Sequence, residues 1–371
     1  MKKPLLPAFP TWLSDRQALR SPVLSTRIRL ARNFADVRFP LQAPGPELER
    51  VLARVERWVR EHPGLSLNFI RLRDLSEVLR GQLAERGLVH MESAAHPDRV
   101  GLALGSATAS LLVNEEDHLR LQVLLGGLNL NRALDLARRL DERLAQDLPL
   151  AVHPQFGFLT ACPTNVGTGL RASVMLHLPA LALTRGIVQV LQAVLHMGLA
   201  VRGIYGEGTE LRTVFFQISN QVTLGRDEEE IVAHLEGVTR QIVERETEAR
   251  VKLLTESRHL LEDKVGRALG TLAGSRLVGL EEGLDLLSSV HLGVDSGLLS
   301  GFRAETLNQL LLQIQPAHLQ AGAPASLTVE DQSIRRADLI RRRLRVKPVT
   351  LGTKTRRMAR KRARRSKTHV R

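Results

Sequence analysis

The sequence predicts an α+β fold: a mostly antiparallel sheet flanked by helices, followed by a smaller all-α domain. Between about 88 and 178, short apolar segments are separated by polar turns, and the stretch 170–178 alternates clearly. Segments with helical spacing of apolar residues precede this region and interrupt it. After Gly225 the pattern is helical to about 345. Strands with inserted helices favour an antiparallel sheet, and the long helical run favours a second domain.

Each element follows from its own pattern. Helical spacing predicts helices over 46–60, 74–86 and 133–148. Extended or alternating segments predict strands at 23–33, 119–125, 170–178 and 215–219. Acidic residues at 227–230 suit the first turn of a further helix, where the helix dipole favours negative charge. Within the helical run, breaks are expected near Gly270, near Gly293 and at 321–324.

These patterns predict four regions: an extended lead-in (1–21), an α+β domain (22–250), a helical domain (251–345) and a basic, disordered tail (346–371). The chain of 371 residues is long enough for two domains. The tail holds 11 Lys or Arg and no Asp or Glu, so it carries most of the net charge of +14. Two interpretations of the tail stay open: a solvated charge run, or electrostatic contact with nucleic acid or an acidic surface.

Composition predicts a cytoplasmic protein. The sequence contains no run of 18 apolar residues, so no membrane-spanning helix is expected. Prolines at 4, 7 and 10 interrupt the N-terminal segment, which argues against a signal peptide. A single cysteine, Cys162, excludes an internal disulfide and a Cys-rich zinc site. With 3% aromatic residues, the chain offers few surfaces on which nucleic-acid bases could stack.

The usual nucleotide-binding motifs are missing from the sequence. It contains no Gly-x4-Gly-Lys-Ser/Thr loop, no His-Arg-Asp loop and no Rossmann glycine pattern. Arginine is the alternative phosphate binder, because its planar fork of donors matches phosphate oxygens. Arg27 and Arg29 are two residues apart in an extended segment, which puts both guanidinium groups on one face. Alone, this pair also fits a solvated face.

Three further segments combine residues suited to a catalytic site. The stretch 114–120 places acids, a histidine and an arginine after an apolar strand, and by itself it also fits an exposed acidic turn. The stretch 160–171 places Cys162 before a Pro/Asn/Gly loop; a lone cysteine is more often a small buried hydrophobe. The stretch 202–210 frames Glu207 with glycines, as in a loop that closes over substrate or a mobile surface hairpin.

Together the four segments resemble the phosphagen (guanidino) kinases. The motifs are Ser-x-Arg-x-Arg, Asn-Glu-Glu-Asp-His-Leu-Arg, Cys-Pro-Thr-Asn-x-Gly-Thr-x-x-Arg and Arg-Gly-x-x-Gly-Glu, in the family's order over about 22–250. Because Ser25-Thr26-Arg27 comes so early, the N-terminal helical domain of creatine and arginine kinases is expected to be absent, and a helical C-terminal domain containing 261–268 is expected instead. This layout is similar to the bacterial protein-arginine kinases, which mark proteins for a Clp-type protease in the stress response.

The resemblance implies roles for individual residues. The catalytic residues would be Glu116 and Glu207, which hold the substrate guanidinium while one acts as general base, and Cys162 as a thiolate. Phosphates of ATP, with Mg²⁺, would be bound by Arg27, Arg29, Arg120, Arg171 and Arg202, with His118 in the same nucleotide-binding group. Glu115, Thr160 and Asn165 would contact substrate, and Thr160 is expected to hydrogen-bond the Cys162 sulfur. No metal ligand is predicted in the protein itself.

The resemblance also implies partners and one departure. Protein substrates with accessible arginines, an activator protein, the Clp machinery and a homodimer formed through the C-terminal domain are expected. The branch carries Arg-Asp-x-x-Arg-Ala, a phosphoarginine-binding motif, where this chain has Gln332 and Ser333 followed by Arg336 and Ala337. Activation by phosphoarginine is therefore expected to differ from the usual pattern. The segment 354–371 lies outside the resemblance.

Two other functions stay open from the sequence. One is phosphorylation of free arginine, which the missing N-terminal domain argues against. The other is a catalytically silent scaffold that binds a regulator or nucleic acid. Retention of Glu116, Cys162, Glu207 and the five arginines argues against the scaffold, because a non-catalytic relative would be free to lose them.

Overall fold

The computed structural model describes residues 9–14, 21–105, 108–203 and 214–345. Glu207, most of the predicted lead-in and the whole basic tail lie outside these ranges. None of the helices described is both long and apolar enough to cross a membrane.

An eight-stranded sheet forms the centre of the fold, and its paired strands are all antiparallel, as predicted. The strand order is β2-β3-β4-β5-β1-β8-β10-β9, so β1 is central between β5 and β8. A separate pair, β6 and β7, is also antiparallel. The strands are β1 Val23–Arg32, β2 Asn68–Arg71, β3 Gly101–Leu104, β4 Ala109–Val113, β5 Leu119–Gly126, β6 Val152–His153, β7 Gly157–Phe158, β8 Leu170–His177, β9 Leu199–Gly203 and β10 Phe215–Asn220.

The helices surround the sheet and then form the C-terminal part of the fold. Those associated with the sheet are α1 Gly45–Glu61, α2 Glu77–Glu85, α3 Met91–Ala95, α4 Leu130–Asp147, α5 Pro179–Leu183, α6 Ile187–His196 and α7 Glu228–Glu256. The C-terminal helices are α8 Arg258–Gly274, α9 Leu280–Asp295, α10 Ala304–Gln313, α11 Pro316–Gln320 and α12 Val329–Leu344. A short 3-10 helix, Thr11–Ser14, lies against β5 and α10.

The breaks predicted near Gly270 and Gly293 are present, but each lies a few residues after the glycine. Helix α8 continues through Gly270 to Gly274, and α9 continues through Gly293 to Asp295. A Cβ atom at Gly293 would lie 2.5 Å from Val265 Cγ1, so this glycine permits close packing of α9 on α8. The break expected at 321–324 is confirmed, since α11 ends at Gln320 and α12 begins at Val329.

The two faces of the sheet differ in chemistry. Ile28 and Leu30 of β1 are fully buried in one apolar cluster with residues of α4 and α7. Because side chains alternate along a strand, Arg27 and Arg29 lie on the opposite face. Around β1, one face of the sheet is therefore a hydrophobic core, and the other is available for polar chemistry; at β3 and β4 that second face carries a separate apolar cluster.

The C-terminal helices have their own apolar core, built from residues such as Leu287, Leu310 and Ile340. Helix α7 connects it to the sheet: buried Glu246 accepts hydrogen bonds from the N–H groups of Ala180 and Leu181, 3.1 and 2.9 Å away. One turn later, Arg250 donates to Asp295 of α9 at 3.0 Å. The predicted domain boundary at 250/251 lies within α7, so the division into domains stays a prediction.

Candidate active site

The polar face of the sheet gathers arginines from neighbouring strands. Arg29 of β1 is directly opposite Arg171 of β8 in the antiparallel register. Arg27 is opposite Ser173 on β8 and Leu124 on β5. Arg120, near the start of β5, lies beside the same end of β1 through its pairing with Ala31. Residues far apart in sequence thus meet because β1 is central in the sheet.

This arrangement concentrates positive charge. Burial, and then the charges of Arg120 and Arg171, lowers the pKa of Arg27 to about 10. Burial and the same neighbours, together with Arg27, lower the pKa of Arg29 well below its ordinary value. Burial, followed by the charge of Arg202, lowers the pKa of Arg171. The three shifts share two causes. Burial disfavours the charged guanidinium, and the neighbouring positive charges disfavour it further, so a bound anion would stabilise all three arginines.

The hydrogen-bond partners of these arginines are mostly neutral. Arg27 donates to Gln217 Oε1 at 2.9 Å, and Arg171 donates to Ser219 Oγ at 3.3 Å. Arg120 is the exception, because it forms a bidentate ion pair with Glu115. Among the described residues, the Nε atoms of Arg29 and Arg171 are buried without a hydrogen-bond partner. The face therefore retains donor capacity suited to phosphate oxygens.

The acidic motif forms a tight turn between β4 and β5. Asn114 adopts a left-handed conformation (φ 58°), and its N–H donates to His118 O at 3.0 Å. Its side-chain amide donates to Leu48 O at 2.8 Å and to Arg99 O at 3.1 Å, which fixes the turn against α1. The turn presents Glu115 and Glu116 to the cleft described below.

Asp117 and Arg32 anchor the cysteine loop. Asp117 Oδ1 accepts hydrogen bonds from Asn33 Nδ2 at 2.6 Å and from the N–H of Ala161 at 2.7 Å. Arg32, whose side chain is 1% exposed, forms an ion pair with Asp141 at 2.7 Å and donates to Thr168 O at 2.9 Å. Asp117 therefore holds the start of the loop at Ala161, and Arg32 of β1, which is paired with Asp141 of α4, holds its end at Thr168.

Gly169 lets the chain return to β8. Its φ is +64°, and a Cβ atom there would lie 2.6 Å from Ala31 O. Both the positive φ and the close approach require glycine.

The Cys162 thiol lies between an acid and a hydroxyl. Its sulfur is 3.0 Å from Thr164 Oγ1, and it hydrogen-bonds Glu116. The expected bond from Thr160 to the sulfur is wrong: Thr160 is buried, and its hydroxyl donates to Cys162 O at 2.7 Å. Partial desolvation, and then the charges of Asp117 and Glu115, raises the pKa of Glu116, whereas the Cys162 contact lowers it.

Most of the predicted site residues line one cleft of about 660 Å³. These are Arg29, Glu115, Glu116, Arg120, Cys162, Asn165, Arg171 and Arg202. Arg27 lines a neighbouring cavity instead, and Thr160 lines neither of the two. Glu207 lies outside the described residues.

His118 does not line the cleft either. Its side chain is fully buried against Phe34, with ring centroids 5.5 Å apart, and its Nδ1 accepts the N–H of Phe34 at 3.2 Å. Burial lowers its pKa to about 4. In this position His118 packs beneath the turn, and the nucleotide-binding role expected for it stays a prediction.

Sequence reasoning missed several residues near the chemistry. The cleft wall opposite the sheet is α3 and its flanks, including His90, Glu92 and His96, none of which belongs to a motif. Thr164 and Asp117 lie inside the motifs, but their contacts with Cys162 and Ala161 depend on the folded loop. For Thr164, the proximity of a hydroxyl two residues after the thiol was the only available signal.

One cluster in the described residues has metal-ligand spacing, and it lies elsewhere. His177, His291 and Asp295 bring their ligand atoms within 4.8 Å of one another between β8 and α9. Each is already hydrogen-bonded: His177 to Ser288 at 2.6 Å, and His291 to Asp295 at 3.2 Å. The cluster is a polar contact between the sheet and the C-terminal helices.

Comparison with protein families assigns both parts of the chain. Residues 50–249 match the ATP:guanido phosphotransferase, C-terminal catalytic domain. Residues 258–359 match the protein-arginine kinase McsB C-terminal domain. The second match reaches into the predicted tail, so the first residues of the segment 354–371 do belong to the family pattern, contrary to expectation.

Curated relatives match along most of the chain. A protein-arginine kinase from Halothermothrix orenii is 45% identical over 334 residues, covering 90% of this chain and 96% of the relative. The protein-arginine kinase of Bacillus subtilis is 40% identical over 340 residues, covering 91% of this chain and 94% of the relative.

Solved structures share the fold. Lombricine kinase aligns with 27% identity and a TM-score of 0.51 over 60% of this chain and 65% of its own. The duplicated taurocyamine kinase of Schistosoma mansoni aligns with 22% identity and a TM-score of 0.52 over 63% of this chain and 33% of its own. With a family match across more than half of its length and curated relatives along nine tenths of it, the chain belongs to the ATP:guanido phosphotransferases, in their protein-arginine kinase branch.

Proposed function

We propose that this protein transfers the γ-phosphoryl group of ATP to arginine side chains of proteins. The observation that carries the proposal is the cleft itself, in which a face of arginines meets the Glu116–Cys162 pair. The names of the relatives support arginine in a protein as the acceptor. The two sides of the cleft match the two partners of the reaction, an anionic donor and a cationic acceptor.

The arginine face suits the triphosphate. Arg29, Arg120 and Arg171 line the cleft, and Arg27 follows on the same strand face. Phosphoryl transfer depends mainly on positioning and on neutralising charge at the transferred group. Fixed guanidinium groups in a partly dehydrated cleft perform both tasks, because they are oriented before the phosphate arrives.

Glu116 suits the acceptor guanidinium. A guanidinium is no nucleophile until it loses a proton, since its pKa is above about 12. The raised pKa of Glu116 makes its carboxylate a better proton acceptor than an ordinary glutamate. The second carboxylate of the proposal, Glu207, completes the grip on the planar guanidinium and directs one nitrogen at phosphorus. A thiolate at Cys162 would favour the cationic acceptor beside it.

Mg²⁺ fits the donor set only together with the nucleotide. The described cleft residues supply Glu115 and Glu116 as carboxylates, and Glu115 already pairs with Arg120. Mg²⁺ typically takes one or two carboxylates plus phosphate oxygens and water. Glu115 is the residue that would face the ion, and the ion supplies neutralisation of phosphate charge when bound.

The biological setting is part of the same proposal. The substrates would be proteins marked for Clp-type proteolysis in the cytoplasm during stress, with an activator protein controlling the kinase. A homodimer through the C-terminal helices is supported by apolar side chains exposed there, among them Leu260 at 56% and Val329 at 83%. The tail would contact nucleic acid or acidic surfaces by charge, and salt should weaken that contact.

Arg336 bears on regulation by phosphoarginine. Its guanidinium is buried and donates to Ile314 O at 2.9 Å and to Val278 O at 2.8 Å. An arginine held by two backbone carbonyls is part of the helical core. We propose that phosphoarginine does not activate this enzyme through the segment 332–337.

The test is incubation of the purified protein with Mg-ATP and a natively unfolded, arginine-rich protein. Mass spectrometry under non-acidic conditions follows, because the P–N bond is acid-labile. Phosphoarginine on the protein, lost in Glu116→Ala and Glu207→Ala but kept in Glu142→Ala, is the expected result; Glu142 is exposed on α4, which packs on the apolar face. Phosphorylation of free arginine alone would establish a phosphagen kinase, and transfer to neither with ATP bound would establish a scaffold.

A further inference from the structure

The cleft carries large, exposed apolar side chains at its edge on the side of α3. Leu41 lines the cleft and is 79% exposed. Met91, on α3, is 64% exposed and lies between two residues that line the cleft. The loop that contains Leu41 lies against the segment after α3, since a Cβ atom at Gly45 would be 2.8 Å from Arg99 Nη2. Leu41 and Met91 together form the α3 rim, an apolar edge on a polar site.

The cysteine loop and the segment after β10 form a second edge. Thr164 of the loop lines the cleft. Buried Thr223 holds the segment against the loop, because its hydroxyl donates to Thr164 O at 2.9 Å and to Val166 O at 2.7 Å. On either side of Thr223, the side chains of Val222 and Leu224 are 53% and 47% exposed. Val222 and Leu224 form the cysteine-loop rim.

A further exposed ring borders the cysteine loop. A Cβ atom at Gly167 would lie 2.9 Å from Leu224 Cα, and one at Gly157 would lie 2.6 Å from Gly167 O. Phe156, directly before Gly157, is exposed, and its ring is stacked on His153 with the centroids 4.7 Å apart. Phe156 and Leu224 are therefore both close neighbours of Gly167. The apolar surface at this edge includes an aromatic ring held in a fixed orientation.

Exposed apolar side chains next to a polar site indicate a partner with the same division of chemistry. The acceptor guanidinium is placed beside Glu116, and the chain on either side of it has to leave the cleft past the two rims. An extended chain advances about 3.3 Å per residue, so two or three residues on each side of the acceptor cover about 7–10 Å. A free amino acid has no atoms to place on either rim, whereas a polypeptide does.

We propose that the protein substrate lies across the mouth of the cleft, with its acceptor arginine inserted and neighbouring apolar side chains seated on the α3 rim and the cysteine-loop rim. The inference rests on the proposed function, because it takes arginine in a protein as the acceptor. It adds a sequence preference to that function: arginines flanked by leucine, valine or phenylalanine are better substrates than arginines flanked by serine or glycine. The contact is hydrophobic and comes from residues outside the catalytic motifs.

The charges at the mouth agree with this division. Glu115 and Glu116 line the cleft from the acidic turn, and Glu92 lines it beside Met91. When phosphates occupy the arginine face, the charge left near the rims is negative. It favours a cationic acceptor and disfavours an acidic residue next to that acceptor, so charge selects the arginine and apolar contact selects its neighbours.

Binding of paired peptides gives the first test. Both peptides are short and carry one central arginine and no other charge; one has leucine at the second and third positions on each side, and the other has serine there. Fluorescence anisotropy in the presence of Mg-ADP measures affinity while no phosphoryl group can be transferred. The leucine peptide should bind about tenfold more tightly, the equivalent of about 1.4 kcal/mol. The difference should persist in about 1 M salt, which screens charges but not hydrophobic contact.

Variants of the rims give the second test. Leu224→Ser should reduce the preference for the leucine peptide by about fivefold, and Leu224→Met should retain it because methionine restores the apolar volume. Met91→Ser makes the same test at the α3 rim. Leu195→Ser is the matched control and should keep the full preference, since Leu195 is 52% exposed on α6 and is not part of the cleft lining or of either rim.

Two results would overturn the inference directly. One is equal affinity of the leucine and serine peptides for the unmodified protein. The other is a loss of preference in Leu195→Ser as large as that in Leu224→Ser. Light scattering tests the alternative occupant, a second copy of this chain: a change of molar mass in Leu224→Ser would identify the rim as a subunit contact instead of a substrate surface.

The inference and the proposed function can fail separately. Transfer from Mg-ATP to both peptides with equal kcat/KM would leave the kinase standing and remove the role of the rims. Preferential binding of the leucine peptide without transfer to any peptide would contradict the proposed function and leave the rims as a peptide-binding surface.

Discussion

Arg29 on β1 and Arg171 on β8 are directly opposite each other in the antiparallel sheet. Like charges in this position destabilise a sheet by about 0.2–1 kcal/mol, and the Nε atoms of both side chains are buried without a partner in the part of the chain that the structure describes. The arrangement is unfavourable for the empty protein and favourable for a bound polyanion. This arginine pair therefore lowers the stability of the ligand-free protein and strengthens the binding of a polyanion.

Replacing Arg29 tests that opposition. Arg29→Gln should raise the free energy of unfolding of the nucleotide-free protein by about 0.2–1 kcal/mol, because a like-charge contact is removed. The same variant should lose most of the stabilisation that Mg-ADP gives the unmodified protein. Urea unfolding with and without Mg-ADP measures both effects. Arg143→Gln, on an exposed position of α4, is the control, and a less stable empty Arg29→Gln protein would contradict the prediction.

The pH dependence of the reaction should report Glu116. A general base must be ionised, so the rate should fall as the pH decreases through the pKa of Glu116, which lies above its ordinary value. Cys162 lowers that pKa through its hydrogen bond, and Cys162→Ala should therefore move the acidic limb of the pH–rate profile to higher pH. Glu116→Gln should reduce kcat by about 10²–10⁴-fold without weakening Mg-ATP binding. An acidic limb that survives unchanged in Glu116→Gln would assign the base elsewhere.

Asp117 should act as a structural acceptor. Burial raises its pKa, and its Oδ1 accepts from Asn33 and Ala161. Asp117→Asn keeps an acceptor at Oδ1 and should retain most of the stability. Asp117→Ala leaves two donors unsatisfied and should cost about 1–3 kcal/mol, with a lower kcat because the Cys162 loop loses its anchor. Urea unfolding and steady-state kinetics of the two variants decide the point; equal stability of both would refute it.

Asp141 offers a comparison between a buried and an exposed ion pair. Its partner Arg32 is 1% exposed, so Asp141→Ala leaves a buried charge without its carboxylate and should destabilise the protein by about 3–5 kcal/mol. Asp36 pairs with Arg54 at the same 2.7 Å, but both side chains are substantially exposed. Asp36→Ala should therefore cost at most about 1 kcal/mol. Thermal unfolding of the two variants side by side measures the difference, and similar losses would be inconsistent with it.

The sequence was sufficient for the elements whose pattern is local. Helix α1 and strand β8 follow directly from apolar periodicity, and most of the motif residues do converge on one cleft. Gly270 and Gly293 marked the ends of their helices only approximately, because both glycines lie inside the last turns of α8 and α9.

What the sequence could not provide is contact between distant segments. His118 stands in the middle of an acidic motif, yet its side chain is in the core because Phe34 and Asn33 return beside it. The wall at α3 and the sulfur contact of Thr164 likewise depend on how loops fold over the sheet. Local patterns do not contain that information.

Helix α7 has 29 residues, a rod of about 43 Å at 1.5 Å per residue. Only Ser257 separates its end from the start of α8. It carries Glu246 to the N–H groups that begin α5, and one turn later Arg250 to Asp295. The C-terminal helices therefore cannot be transplanted as an interchangeable module: a chimera joined at the boundary of the two family matches would have to preserve the continuous helix α7, its hydrogen bonds to α5 and its ion pair with α9.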